Sequence, residues 1–121
     1  MTDSGVSRML TVAHSRVDGM PVVAAQGEID ITSAPQLRSA LETVPDGGQP
    51  PIVDLSQVAF MGSVGLSVLL AASEQASPQR LRVVVSSQVR RPIEVTGLDQ
   101  VLALYDTLDQ ALAAGESFLP G

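Results

Sequence analysis

Apolar and polar residues alternate imperfectly over Leu10–Val17 (Leu-Thr-Val-Ala-His-Ser-Arg-Val), and an apolar run resumes over Val22–Ala25 beyond Asp18-Gly19. An Asp-Gly pair between two such runs predicts a β-hairpin. The period then changes: Ala34, Leu37, Leu41 and Val44 recur at helical spacing, behind Thr32 or Ser33 as a cap and with Pro35 in the first turn. Pro45-Asp46-Gly47-Gly48 ends that helix, and Pro50-Pro51 leads into a third strand, Ile52–Leu55. A short connection through Phe60 reaches the tight turn Gly62-Ser63-Val64-Gly65. An apolar helix follows from Leu66, with Leu66, Leu69, Leu70 and Ala76 as its buried side and Ser77-Pro78 as its stop. Arg82–Val85 reads as a β-branched strand. Val89, Ile93 and Leu98 mark a third helix, with Pro92 near its start and Gly97 near its end. Val101–Tyr105 is the last strand, and Thr107 with Gln110 resembles a capping box for a final helix through Leu108, Ala111 and Leu112. The order ββαβαβαβα predicts an α/β fold: a mixed sheet of four or five strands with about four helices, mostly on one face. Residues 1–9 are expected to form a loose N-terminus, 10–115 the single domain and 116–121 a tail.

A chain of 121 residues supports one hydrophobic core and not two. With no Trp, one Tyr and two Phe, that core has to be built from Val, Leu, Ile and Ala. The formal charge is −6, and all seven cations are arginines, four of them (Arg80, Arg82, Arg90, Arg91) within a dozen residues. This patch is small, and aromatic stacking residues are scarce, so nucleic-acid binding is not expected. The lack of cysteine excludes disulfides and thiolate chemistry. No apolar run approaches the roughly 18 residues of a membrane span, and no secretory leader is visible, so a cytoplasmic location is expected. His14 is the only histidine and reads as a solvated strand residue; no metal-ligand cluster, phosphate-cradling glycine loop or Ser/His/acid set is present. The chain is therefore expected to be no enzyme, to hold no metal and to need no cofactor.

The turn at 62–65 carries the chemistry. A serine between two glycines at a helix start is exposed and close to unpaired backbone N–H groups, where the helix dipole favours a negative charge. It suits a hydroxyl that receives a phosphate, or a small anion-binding nest; the plainer reading makes Ser63 only an N-cap.

Three blocks, GEIDITSAPQL (27–37), VDLSQVAFMGSVGL (53–66) and RPIEVTGLDQVLALYDTLDQAL (91–112), in this order, resemble the STAS domain family, and within it the small bacterial anti-sigma factor antagonists. The resemblance covers roughly residues 10–115. It implies a partner-switching protein in transcription regulation: it binds an anti-sigma factor, a serine protein kinase of the histidine-kinase-like ATPase type, and so releases a sigma factor. The kinase phosphorylates a serine in the turn before the second helix, which ends binding, and a serine phosphatase restores it. The usual turn reads Asp-Ser-Ser/Thr-Gly with the second hydroxyl as acceptor. Here the matching residues are Gly62-Ser63-Val64-Gly65, so Val64 stands at the acceptor position. Either Ser63 takes over as acceptor, Gly62 giving the turn freedom to present it, or the switch is lost and the chain binds constitutively or answers to another control. The expected partner surface comprises Glu28, Asp30, Thr32, Ser33, Gly62, Ser63, Val64, Gly65 and Ser67. Asp30 matches the acidic position beside the phosphorylation turn in the family, and is otherwise a loop carboxylate turning the chain into its first helix. Asp54 faces the same end of the sheet or ties the backbone locally, and Ser56 forms a turn. Two further readings stay open: a STAS subunit of a membrane transport or lipid-trafficking complex, and a sensor of small anions or nucleotides.

Overall fold

The computed structural model describes residues 10–43 and 49–117. The expected loop Pro45–Gly48, Val44 of the first helical stripe, the N-terminus and the last four residues lie outside them. A five-stranded sheet runs in the order β1-β2-β3-β4-β5, formed by β1 (Thr11–Val17), β2 (Met20–Ile29), β3 (Ile52–Met61), β4 (Leu81–Val85) and β5 (Leu102–Tyr105). Four helices connect or follow these strands: α1 (Ala34–Glu42), α2 (Ser63–Ala76), α3 (Ser87–Val95) and α4 (Leu108–Ser117), with a 3-10 turn at Leu98–Gln100. β1 and β2 are antiparallel, and all later pairs are parallel. Asp18 and Gly19 both hold positive φ, 53° and 82°, as the two-residue hairpin turn requires.

Two cores of different size separate the faces. The larger joins Val23, Leu55, Val83 and Leu102 of the sheet to Leu37 of α1, Leu69 of α2 and Ile93 of α3. The smaller puts Ala111 and Leu112 of α4 on Val22, Ile52 and Val84 of the opposite face. The Arg82 guanidinium fastens α4 by donating to the Ala111 carbonyl at 2.8 Å. Three helices thus cover one face and one covers part of the other, as the pattern implied. Among the described residues no helix is long and apolar enough to cross a membrane.

β3 departs most from expectation, continuing six residues past Leu55 to Met61. Its register with β2 shows why. Ala24–Gln26 runs against Asp54–Gln57, and Gly27–Glu28 against Val58–Phe60, so β3 carries an extra residue at two points. Each is a bulge. The buried positions therefore fall at Leu55, Val58 and Met61, three apart, with Ser56-Gln57 and Ala59-Phe60 turned away from the larger core. An alternation of two breaks down here although the strand does not. Asp54 Oδ1 braces the first bulge, accepting from the Ser56 amide (3.0 Å) and hydroxyl (2.7 Å). Asp54 is thus the local tie, and Ser56 sits inside the strand.

Smaller differences have local causes. α2 begins at Ser63 and not Leu66, and its Leu70 is on the exposed side. α3 begins at Ser87 because the Ser86 hydroxyl accepts from the Val89 amide, which leaves Pro92 inside the helix. Gly97, at φ 80°, ends that region as expected, whereas Val101 is exposed just outside β5. His14 is exposed but not only solvated: its Nε2 donates to the Ala40 carbonyl in the last turn of α1 at 2.8 Å. The capping-box residues engage at α4, where the Gln110 amide donates to Thr107 Oγ1 at 3.1 Å.

Candidate functional site

β2 and β3 end side by side, with Ile29 opposite Met61. Beyond them the Gly62 amide donates to the Ile29 carbonyl at 2.9 Å, so the loop at 30–33 and the turn at 62–65 leave the sheet as neighbours. Sequence positions some thirty residues apart thereby share one end of the domain.

The turn is held from below. Gly65 is buried, and a Cβ on it would lie 2.8 Å from both Ile29 Cγ2 and Met61 Cγ, so the first turn of α2 rests directly on the two strand ends. Only glycine permits that approach. Gly62 is the N-cap residue, with φ −83° and ψ 179°. That is ordinary extended backbone, so Gly62 adds no unusual freedom to the turn, contrary to the expectation from its identity. It also supplies no capping side chain, and Ser63 is the first helical residue rather than the cap. The Ser63 hydroxyl is exposed and has no hydrogen-bond partner among the described residues. Val64 beside it is half-buried against the larger core. Ser67, one turn on, donates its hydroxyl to the Ser63 carbonyl at 3.3 Å and is exposed.

The neighbouring loop is organised by one carboxylate oxygen. Asp30 Oδ1 accepts from the Thr32 hydroxyl (2.7 Å), the Thr32 amide (3.0 Å) and the Ser33 amide (3.1 Å), with the Ser33 hydroxyl oxygen 3.2 Å away. The Thr32 hydroxyl first, then the Ser33 and Thr32 amides, hold the Asp30 carboxyl below its ordinary range. Ser33 stands at the N-cap of α1 but does not cap it. Its oxygen accepts from the Asp30 amide (2.9 Å), and its proton is directed at the Glu28 carbonyl (2.9 Å). Asp30 therefore builds the loop, as the plainer reading held, and its Oδ2 takes no part in these bonds. Of the expected surface residues, Thr32, Ser63 and Ser67 are exposed, and Glu28, Asp30, Gly62 and Val64 are half-exposed. Ser33 and Gly65 are buried and shape the surface from beneath.

Two residues passed over in the sequence stand out at this end. Ile31 is 75% exposed at the tip of the loop, and Phe60 is 50% exposed, with its ring over Gly62. A solvent-facing isoleucine between Asp30 and Thr32, outside any apolar period, was the available signal for the first. Among the described residues no group of His, Cys, Asp and Glu is arranged to hold a metal ion.

Comparison with known proteins agrees with this architecture. Residues 11–111 match the STAS domain. The anti-sigma-F factor antagonist RsfB of Mycobacterium tuberculosis is 41% identical over 106 residues, covering 85% of this chain and 87% of that protein. The crystal structure of an anti-sigma factor antagonist from Mycobacterium paratuberculosis superposes with a TM-score of 0.80 at 40% identity, over 88% of this chain and 94% of that one. The unphosphorylated form of the antagonist SpoIIAA shares the fold at 18% identity, with a TM-score of 0.64 over 91% of this chain and 100% of its own. On its sequence and its sheet order, the chain belongs to the STAS domain family.

Proposed function

We propose that this protein is an anti-sigma factor antagonist: it binds an anti-sigma factor through the end of the domain formed by the 28–33 loop, the 62–65 turn and the exposed side of α2, and so frees a sigma factor. The names of its relatives support the class. The observation that carries the mechanism is the Ser63 hydroxyl, exposed and unengaged on a helix start whose position Gly65 locks against the sheet. The partner in this reading is a serine protein kinase of the histidine-kinase-like ATPase type. It phosphorylates Ser63, since Val64 at the usual acceptor position has no hydroxyl, and a serine phosphatase reverses the reaction. The chain itself is a binding protein working in the cytoplasm, with ATP held by its partner.

The physical consequences are local. A phosphoserine adds about −1.5 to −2 charges and three acceptor oxygens. On the first residue of α2 the added charge meets the positive end of the helix dipole, so the fold tolerates it while the contact surface does not. The test is incubation with purified serine-kinase-type anti-sigma factors of the same organism and labelled ATP, using wild type, Ser63→Ala and Ser63→Glu. Label on wild type but not on Ser63→Ala, with binding kept by Ser63→Ala and lost by Ser63→Glu, is the expected pattern. Label that persists on Ser63→Ala refutes the acceptor assignment, and absence of any binding refutes the antagonist reading.

A further inference from the structure

Five large hydrophobic side chains are exposed among the described residues, and three of them, Ile31 (75%), Phe60 (50%) and Leu70 (40%), bracket Ser63 in the segments that form the proposed contact surface. Ile31 follows the strand end whose carbonyl holds Gly62, Phe60 lies over Gly62, and Leu70 is on α2 two turns beyond Ser63. Half-buried Val64 continues this apolar ground beside the hydroxyl. The charged side chains in the same segments, 28–33 and 60–74, are Glu28, Asp30 and Glu74, all carboxylates. Exposed aromatic and branched residues around a small polar centre are the composition of an interface core, and like-signed charges at its margin are the composition of a rim.

We infer that Ile31, Phe60 and Leu70 are the binding anchors of this surface, that its partner presents an apolar recess edged by arginine or lysine, and that a phosphate on Ser63 ends binding by being forced out of water within that apolar ring. This rests on the antagonist reading and adds to it the chemistry of the partner and the physical cause of the switch. Against a cation-edged partner an extra negative charge is not repelled at long range. Its cost is desolvation among Ile31, Phe60 and Val64, in segments whose own charged side chains are all carboxylates and offer it no partner. The acidic rim acts on the approach instead, raising the association rate at low salt.

Isothermal titration and stopped-flow binding to the purified serine-kinase-type anti-sigma factors distinguish these terms. Full-length Ile31→Ala, Phe60→Ala and Leu70→Ala are compared with Val101→Ala, which removes an exposed valine outside these segments. The three anchor variants should bind about tenfold to thirtyfold more weakly, through faster dissociation, with unchanged unfolding curves, and Val101→Ala should bind as wild type does. Raising salt from 0.1 to 1 M, which shortens the screening length from about 10 to 3 Å, should slow association of the wild type but leave Ser63→Glu unbound. If wild type binds and the anchor variants stay within twofold of it, the anchors are wrong while the antagonist reading stands. If Ser63→Glu binds like wild type, or recovers at 1 M salt, desolvation is not the cause. If wild type binds no anti-sigma factor, both readings fall. A wild-type dimer dissolved by Ile31→Ala in sedimentation would make the ring a self-contact and overturn the assignment of the partner.

Discussion

Replacing Gly65 by alanine tests how tightly the 62–65 turn is fixed to the sheet. The new methyl would sit 2.8 Å from Ile29 Cγ2 and Met61 Cγ, and 3.4 Å from Met61 Cε. The Met61 terminus can swing aside, but its Cγ is near the backbone, and Ile29 is fully buried with a stiff branched side chain. Restoring an ordinary carbon–carbon separation of about 3.6 Å moves the first turn of α2 outward by somewhat less than ~1 Å. Overpacking of this kind costs about 1–3 kcal/mol. In the first turn alanine recovers only about half of the ~1 kcal/mol of helix-interior propensity, which leaves a net loss of about 0.5–2.5 kcal/mol. In urea, with a slope of about 1–3 kcal/mol per molar, the midpoint should fall by several tenths of a molar to about 1 M with the slope unchanged. Gly62→Ala is the control: its methyl meets nothing nearer than 3.6 Å, and its φ suits any residue. A Gly65→Ala protein as stable as wild type would mean that α2 does not rest on Ile29 and Met61, and the case for a rigidly held Ser63 would go with it.

Gly62→Asp should stabilise the domain by about 0.5–1 kcal/mol, because it supplies α2 with the side-chain cap it lacks and a charge at its positive end; thermal unfolding reads this directly. Ser86→Ala should cost about 1–2 kcal/mol in urea unfolding, since the same hydroxyl caps α3 and donates to the Val58 carbonyl at 2.7 Å, on the edge of β3 that β4 no longer covers. Asp30 has a folded-state pKa below its unfolded value, so its charge contributes stability that is complete above about pH 4 and disappears as pH falls through the folded pKa. Wild type should therefore exceed Asp30→Asn in stability at pH 7, and the two should converge once pH has fallen through the folded pKa of Asp30; a gap that persists in acid would assign the effect to shape and not to charge. Ser63→Ala should leave the unfolding curve within about 0.5 kcal/mol of wild type, because the hydroxyl is exposed and caps nothing.

The order of elements was legible because each boundary carries its own local chemistry: Asp18-Gly19 at the hairpin, Pro35 in the first turn of α1, Gly97 after α3, Thr107 and Gln110 at α4. The end of β3 was hidden because two bulges replace the alternation of a strand by a spacing of three through Leu55, Val58 and Met61. That spacing misses both templates a reader applies, the period of two and the period of 3.6. Ser63 was singled out by its glycines, although the glycines do different work than their pattern implied: Gly62 is conformationally ordinary, and Gly65 is the one whose close approach to Ile29 and Met61 a side chain would disturb. Phe60 and Leu70 were missed as surface residues because exposure on a bulged strand and on a mostly apolar helix leaves little trace in composition. Asp30 shows the same limit. Its identity marked the loop, but only the geometry shows one oxygen gathering three donors from Thr32 and Ser33.

The most direct test of the account is release of a sigma factor. A preformed complex of sigma factor and serine-kinase-type anti-sigma factor, followed by native mass spectrometry, is mixed with this protein before and after phosphorylation at Ser63. The account predicts that the unmodified protein appears bound to the anti-sigma factor with sigma set free, and that the phosphorylated protein leaves the original complex intact. Sigma that stays bound at saturating amounts of the unmodified protein would contradict it.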